Sequence, residues 1–146
     1  MSYDLMVFSA EAAPKTRAEF MTWFDVQTNW SESAYDDPSV TTPELRAWLL
    51  DITKIFPDMN GPDASEDHES DYETDYSIGK SIIYIAFSWS LYTEANQAVI
   101  RLAAKHQVGL FDASGTSILF PHNGELKPME ELYGQPQEIK KPWWKW

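Results

Sequence analysis

The side chains of this 146-residue sequence that could carry out catalysis do not assemble into a catalytic set. Its three histidines, His68, His106 and His122, are far apart and give no metal-ligand spacing. There is no cysteine, which removes thiolate zinc sites, thiol nucleophiles and disulfides together. Ser114-Gly115 lacks the flanking glycines of a nucleophile elbow and reads as an ordinary turn. Neither Asn60-Gly61-Pro62 nor the stretch from Asp75 to Lys80 matches a phosphate-binding or dinucleotide-binding glycine pattern. No catalytic residue, metal or cofactor is therefore expected, and His106 at a helix end is accounted for by the helix macrodipole.

The carboxylates are distributed differently. Seven of the thirteen residues from Asp63 to Asp75 are acidic, with no lysine or arginine among them. Asp63, Glu66, Asp67, Glu69, Asp71 and Glu73 lack the central glycine and terminal glutamate spacing of a calcium-binding EF-hand loop. Glu66, Asp67, Glu69, Asp71 and Asp75, interleaved with Tyr72, suit a docking surface instead, where carboxylates steer a basic partner and tyrosine supplies buried area. A loop that is merely solvated accounts for the same residues. Tyr35, Asp36 and Asp37 form a second candidate patch between two helices.

The whole chain is acidic in the same sense. Asp and Glu number 23 against 11 Lys and Arg, a net charge of −12. Such a field repels phosphate backbones and attracts cationic proteins, so direct nucleic-acid binding is not expected. Residues 1–5 show no basic region leading into an apolar run, and no stretch approaches the roughly 20 apolar residues of a membrane span, so a cytoplasmic protein without membrane contact is expected.

The elements that must position these residues follow from periodicity. Residues Tyr3 to Ser9 read as a strand covered on both faces. Pro14 opens a helix to about Trp30 with Phe20, Trp23 and Phe24 on one face. Thr41 or Thr42 caps the next helix, whose apolar stripe is Leu45, Trp48, Leu49, Ile52 and Phe56. An acidic loop then occupies 58–75. Tyr76 to Lys80 and Ser81 to Trp89 read as strands, the latter central. A helix capped by Ser90 or Thr93 ends at Lys105-His106, and Val108–Asp112 and Ser117–Phe120 pair as a hairpin. The order β-α-α-β-β-α-β-β predicts an α+β fold: a mostly antiparallel sheet with helices packed on one face, a ferredoxin-like variant. A single domain is expected over 1–122, followed by a Pro-, Lys- and Trp-containing tail over 123–146 that is either docked by its indoles or free.

Taken as strings, Tyr3-Asp4-Leu5-Met6-Val7-Phe8, Tyr35-Asp36-Asp37-Pro38, Thr41-Thr42-Pro43-Glu44-Leu45-Arg46-Ala47-Trp48, Phe56-Pro57-Asp58-Met59-Asn60-Gly61-Pro62 and Thr74-Asp75-Tyr76-Ser77-Ile78-Gly79 resemble a family of small acidic, mostly uncharacterised bacterial proteins. That family is similar to the immunity proteins of contact-dependent and secreted toxin systems. The resemblance spans residues 3 to 121 and implies no catalytic residues. It implies a cognate toxin as partner, basic in character and in some systems a nuclease, neutralised by occlusion. Two alternatives stand beside it: a small enzyme joining His106 or His122 to Asp75 or Asp112, and a regulatory module dimerising through Trp143-Trp144-Lys145-Trp146, with monomer and dimer both open.

Overall fold

The computed structural model describes residues 2–28, 38–58, 72–113 and 117–133. Along these run β1 (Ser2–Phe8), α1 (Arg17–Gln27), α2 (Pro43–Ile52), β2 (Asp75–Ile78), β3 (Ile82–Ser88), α3 (Tyr92–His106), β4 (Gly109–Asp112), β5 (Ile118–His122), β6 (Glu125–Pro128) and α4 (Met129–Tyr133). The fold is α+β, in the expected element order, with β6 and α4 added at its end.

The sheet is antiparallel at every pairing and runs β2-β3-β1-β4-β5-β6. Its first four strands, β2-β3-β1-β4, keep the order of a split βαβ, the ferredoxin-like arrangement. β1 and β3, the two apolar runs of the sequence, pair along their whole length from Ser2↔Ser88 to Phe8↔Ile82. That register puts Tyr3, Leu5 and Val7 on one face with Phe87, Ile85 and Ile83, and Met6 and Phe8 on the other.

Each face has its own core. Tyr3, Leu5 and Val7 join Leu45, Trp48, Leu49 and Ile52 of α2 and Ala95, Val99 and Leu102 of α3. Met6 and Phe8 join Phe20 of α1, Phe111, Phe120 and Met129 of α4. The helices therefore cover both faces, which corrects the expectation of one. The cause lies in β1, whose residues are apolar on both sides and require a cover on each.

Local signals explain the helix starts. Thr42, not Thr41, caps α2: its side chain accepts from Leu45 N at 3.2 Å, with Pro43 in the first turn. α1 is capped by Thr16, just before its first residue Arg17, and is not opened by Pro14 as expected: the Thr16 hydroxyl accepts from Glu19 N. α3 has no side-chain cap, so neither Ser90 nor Thr93 serves, and it closes on Gln107 in the left-handed region.

The domain does not stop at 122. His122 and Glu125 pair across Asn123 (φ 52°) and Gly124 (φ 82°), a two-residue turn with both central residues at positive φ. The sheet thus extends to Pro128 and its helical cover to Tyr133, where Arg17 of α1 binds Glu130 of α4 at 2.8 Å.

Candidate functional site

Of the nine expected docking residues, Tyr35, Asp36, Asp37, Glu66, Asp67, Glu69 and Asp71 lie outside the described residues; Tyr72 and Asp75 lie within them. The structure describes both ends of the acidic segment. Asp58 bridges Thr74 in parallel, and Thr74 N donates to Pro57 O at 2.8 Å. Tyr76, buried in β2, donates its hydroxyl to Phe56 O at 2.6 Å. The two ends of residues 59–71 are therefore held together beside β2, the terminal strand of the sheet.

Tyr72 is exposed, and it is fixed at both ends. Its ring lies 5.5 Å from that of Phe56, and its hydroxyl donates to Glu94 Oε1 at 2.8 Å. The hydrogen bond to that carboxylate raises the Tyr72 pKa, so the phenol stays protonated. Asp75 opens β2 on the surface. Glu94 is a member of this surface that sequence reading missed, because its partner is 22 positions away and nothing local marks the pair.

His106 and His122 do not meet Asp75 or Asp112. His106 Nε2 instead donates to Asp51 Oδ2 at 2.7 Å, and the same carboxylate accepts from Lys105 at 3.0 Å and Lys54 at 3.3 Å. Asp51 stands in the last turn of α2, where its charge opposes the helix dipole, and Lys105 and His106 stand in the last turn of α3, where theirs complement it. One carboxylate thus ties two helix ends together. Beside it, Asp51, Lys54, Ile55, Arg101, Leu102 and Lys105 line a cavity of about 220 Å³.

These hydrogen bonds, that of His106 first, hold the Asp51 carboxyl well below the usual carboxylate range. A depressed folded value means that its contribution to stability is present above the unfolded carboxylate pKa of about 4 and is lost as the pH falls toward the folded value. Asp51→Asn should therefore lower the melting temperature at neutral pH, and the gap to wild type should narrow steadily as the pH drops below about 4. A gap of constant size across an acid titration would show that the carboxylate charge is not what joins the helices.

Among the described residues no cluster of His, Asp and Glu could hold a metal ion, and no helix is long and apolar enough to cross a membrane. No protein-family model, curated protein or solved structure matches the chain.

Proposed function

We propose that the protein is a bacterial immunity protein or antitoxin: a cytoplasmic binding protein that neutralises a basic toxin by covering its active surface. The observation that supports this most is the acidic segment, a run of carboxylates whose ends are clamped on the sheet edge beside Tyr72, Glu94 and Asp75. A tethered run of like charge raises the encounter rate with a cationic surface, and the rigid tyrosine beside it adds area at little entropic cost. Asp36, Asp37, Glu66, Asp67, Glu69 and Asp71 would meet the partner's lysines and arginines, with Tyr35 and Tyr72 as aromatic contacts.

The test has two stages. Tagged protein is used to capture partners from the native organism at low and high salt, and any stoichiometric basic partner is then produced alone and together with this chain. Growth arrest by the partner alone, lifted by co-production, is the expected result; a captured protein that is harmless when produced alone defeats the proposal. Replacing Asp36, Asp37, Glu66, Asp67 and Asp71 by Asn or Gln should slow association and flatten its salt dependence. Unfolding free energy should stay within about 0.5 kcal/mol, as expected of surface substitutions. Unchanged association would remove both segments from the interface.

One observation favours a second reading, a small enzyme: His106 and Asp51 are hydrogen-bonded at the edge of a cavity. Against it, the carboxylate is already engaged by Lys105 and Lys54 as well. Growth protection that survives His106→Ala would separate binding from this chemistry.

A further inference from the structure

Three aromatic rings stand together where β1 begins and α3 starts. The Tyr3 ring lies 5.1 Å from Trp89 and 6.1 Å from Tyr92, and Trp89 and Tyr92 are 5.8 Å apart. Tyr3 is the fixed base of the group. It is 6% exposed, and its hydroxyl accepts from Asn96 Nδ2 at 2.9 Å. Trp89, in the short 3-10 turn after β3, is 40% exposed, and Tyr92, the first residue of α3, is 53% exposed. Two large rings preorganised against a buried third, yet open to water, are what an interface anchor requires: contact area with little entropy left to lose.

The charges around these rings select the partner. The whole chain carries a net charge of −12, so a cationic partner is favoured at any exposed anchor. Asp112 closes β4 and pairs with Leu5 of β1, two residues along the strand from Tyr3, which puts it on the same face of the sheet as the Tyr3 ring. Along α3 the first cation after Tyr92 is Arg101, about 13 Å further along the axis at 1.5 Å per residue. Exposed Trp and Tyr faces with a carboxylate on the same face match a guanidinium group: the ring stacks on its plane and the carboxylate takes its N–H donors.

We infer that Trp89 and Tyr92, seated on Tyr3 on the sheet face that also carries Asp112, are the anchor of an interface that docks arginine side chains of a basic protein. This rests on the immunity reading for the identity of the partner, and it moves the centre of the interface from the acidic segment to the first turn of α3. The acidic segment then serves encounter, and the aromatic pair serves retention.

A short oligoarginine peptide, with an oligolysine peptide of equal length as control, tests this on the full isotopically labelled chain by NMR titration. The expected result is that the Trp89 indole N–H and the backbone amides of 89–96 shift most. Oligoarginine should bind more tightly than oligolysine, and Trp89→Ala and Tyr92→Ala should each weaken it about tenfold. Trp89→Phe, which keeps a ring, should retain most of the affinity. If Trp89→Ala fails to fold, Tyr92→Ala, the more exposed of the two, carries the same expectation. Equal affinity for both peptides with neither variant affected would overturn the inference. So would a shift of the same resonances when Trp143→Ser and Trp144→Ser are introduced without peptide, since the occupant would then be the chain's own end. Growth protection that persists in Tyr92→Ala, with oligoarginine shifts absent from this face, overturns the anchor and leaves the immunity reading intact. Arginine-selective binding here by a chain that protects against no toxin supports the anchor and removes the immunity reading.

Discussion

Gly109→Ala is expected to cost about 3 kcal/mol of unfolding free energy, the upper end of the range for overpacking. Gly109 opens β4 and pairs with Phe8 of β1. A methyl group built on it would run into the Phe8 ring at Cε1 and Cζ. That ring has nowhere to retreat: it is fully buried and packs edge-on to Phe20 at 5.0 Å and Phe120 at 5.2 Å, with Trp23 at 6.1 Å. Either the strands separate or the aromatic cluster repacks. Phe8→Ala alone should cost about 3–5 kcal/mol through the cavity it leaves. In the double variant the added methyl would enter that cavity, so the two costs should fall short of additive by about 1 kcal/mol or more. Chemical denaturation of the four proteins measures this directly; a Gly109→Ala variant as stable as wild type would mean that the Phe8 ring is not wedged as described.

Trp48→Ala should be comparably costly, about 3–5 kcal/mol, because Trp48 is fully buried between α2 and the sheet. Trp48→Phe should behave differently. The indole Nε1–H finds no acceptor among the described residues. An unpaired buried donor costs roughly 1–3 kcal/mol, and phenylalanine removes that cost along with part of the ring. The two effects oppose each other, and the Phe variant should fall within about 1 kcal/mol of wild type. If Phe proves as damaging as Ala, the volume of the indole is what matters and its N–H carries no penalty.

Where a signal was local, the sequence carried the fold. The run from Ile82 to Ser88 and the alternation from Tyr3 to Phe8 became the paired centre of the sheet, and Thr42-Pro43 started α2. β6 was missed although Asn123-Gly124 is a strong hairpin signal, because Pro121 looked like the end of the preceding strand. The pairing shows why proline is tolerated there. His122 and Phe120 face β6 as the hydrogen-bonded positions of a two-residue hairpin, so the Pro121 nitrogen points away from it, past the point where β4 pairs only as far as Leu119. The covering of both faces was implicit in β1 and was not carried through to α1.

The candidate site was less legible, since its contacts join residues remote in sequence. Asp51 and His106 are 55 positions apart, and Asn96 reaches Tyr3 across 93. Trp89 read as the end of a strand, and only the turn after β3 shows that its ring leaves the sheet and stands over Tyr3. The acidic segment was visible from composition alone, because charge density needs no fold to be recognised.

The central position of β1 also bears on how the chain comes off the ribosome. Both of its neighbours, β3 and β4, are synthesised much later, and the Tyr84 to Asp4 hydrogen bond spans 80 positions. At about 5–20 residues per second, β1 waits on the order of 4–16 s for its first partner. During that interval it is an unpaired strand with apolar side chains on both faces, the kind of segment that self-associates and that chaperones bind. Closure of the sheet, and with it the clustering of Tyr3, Trp89 and Tyr92, must then wait on these long-range pairings, which makes slow folding the expected behaviour of this topology.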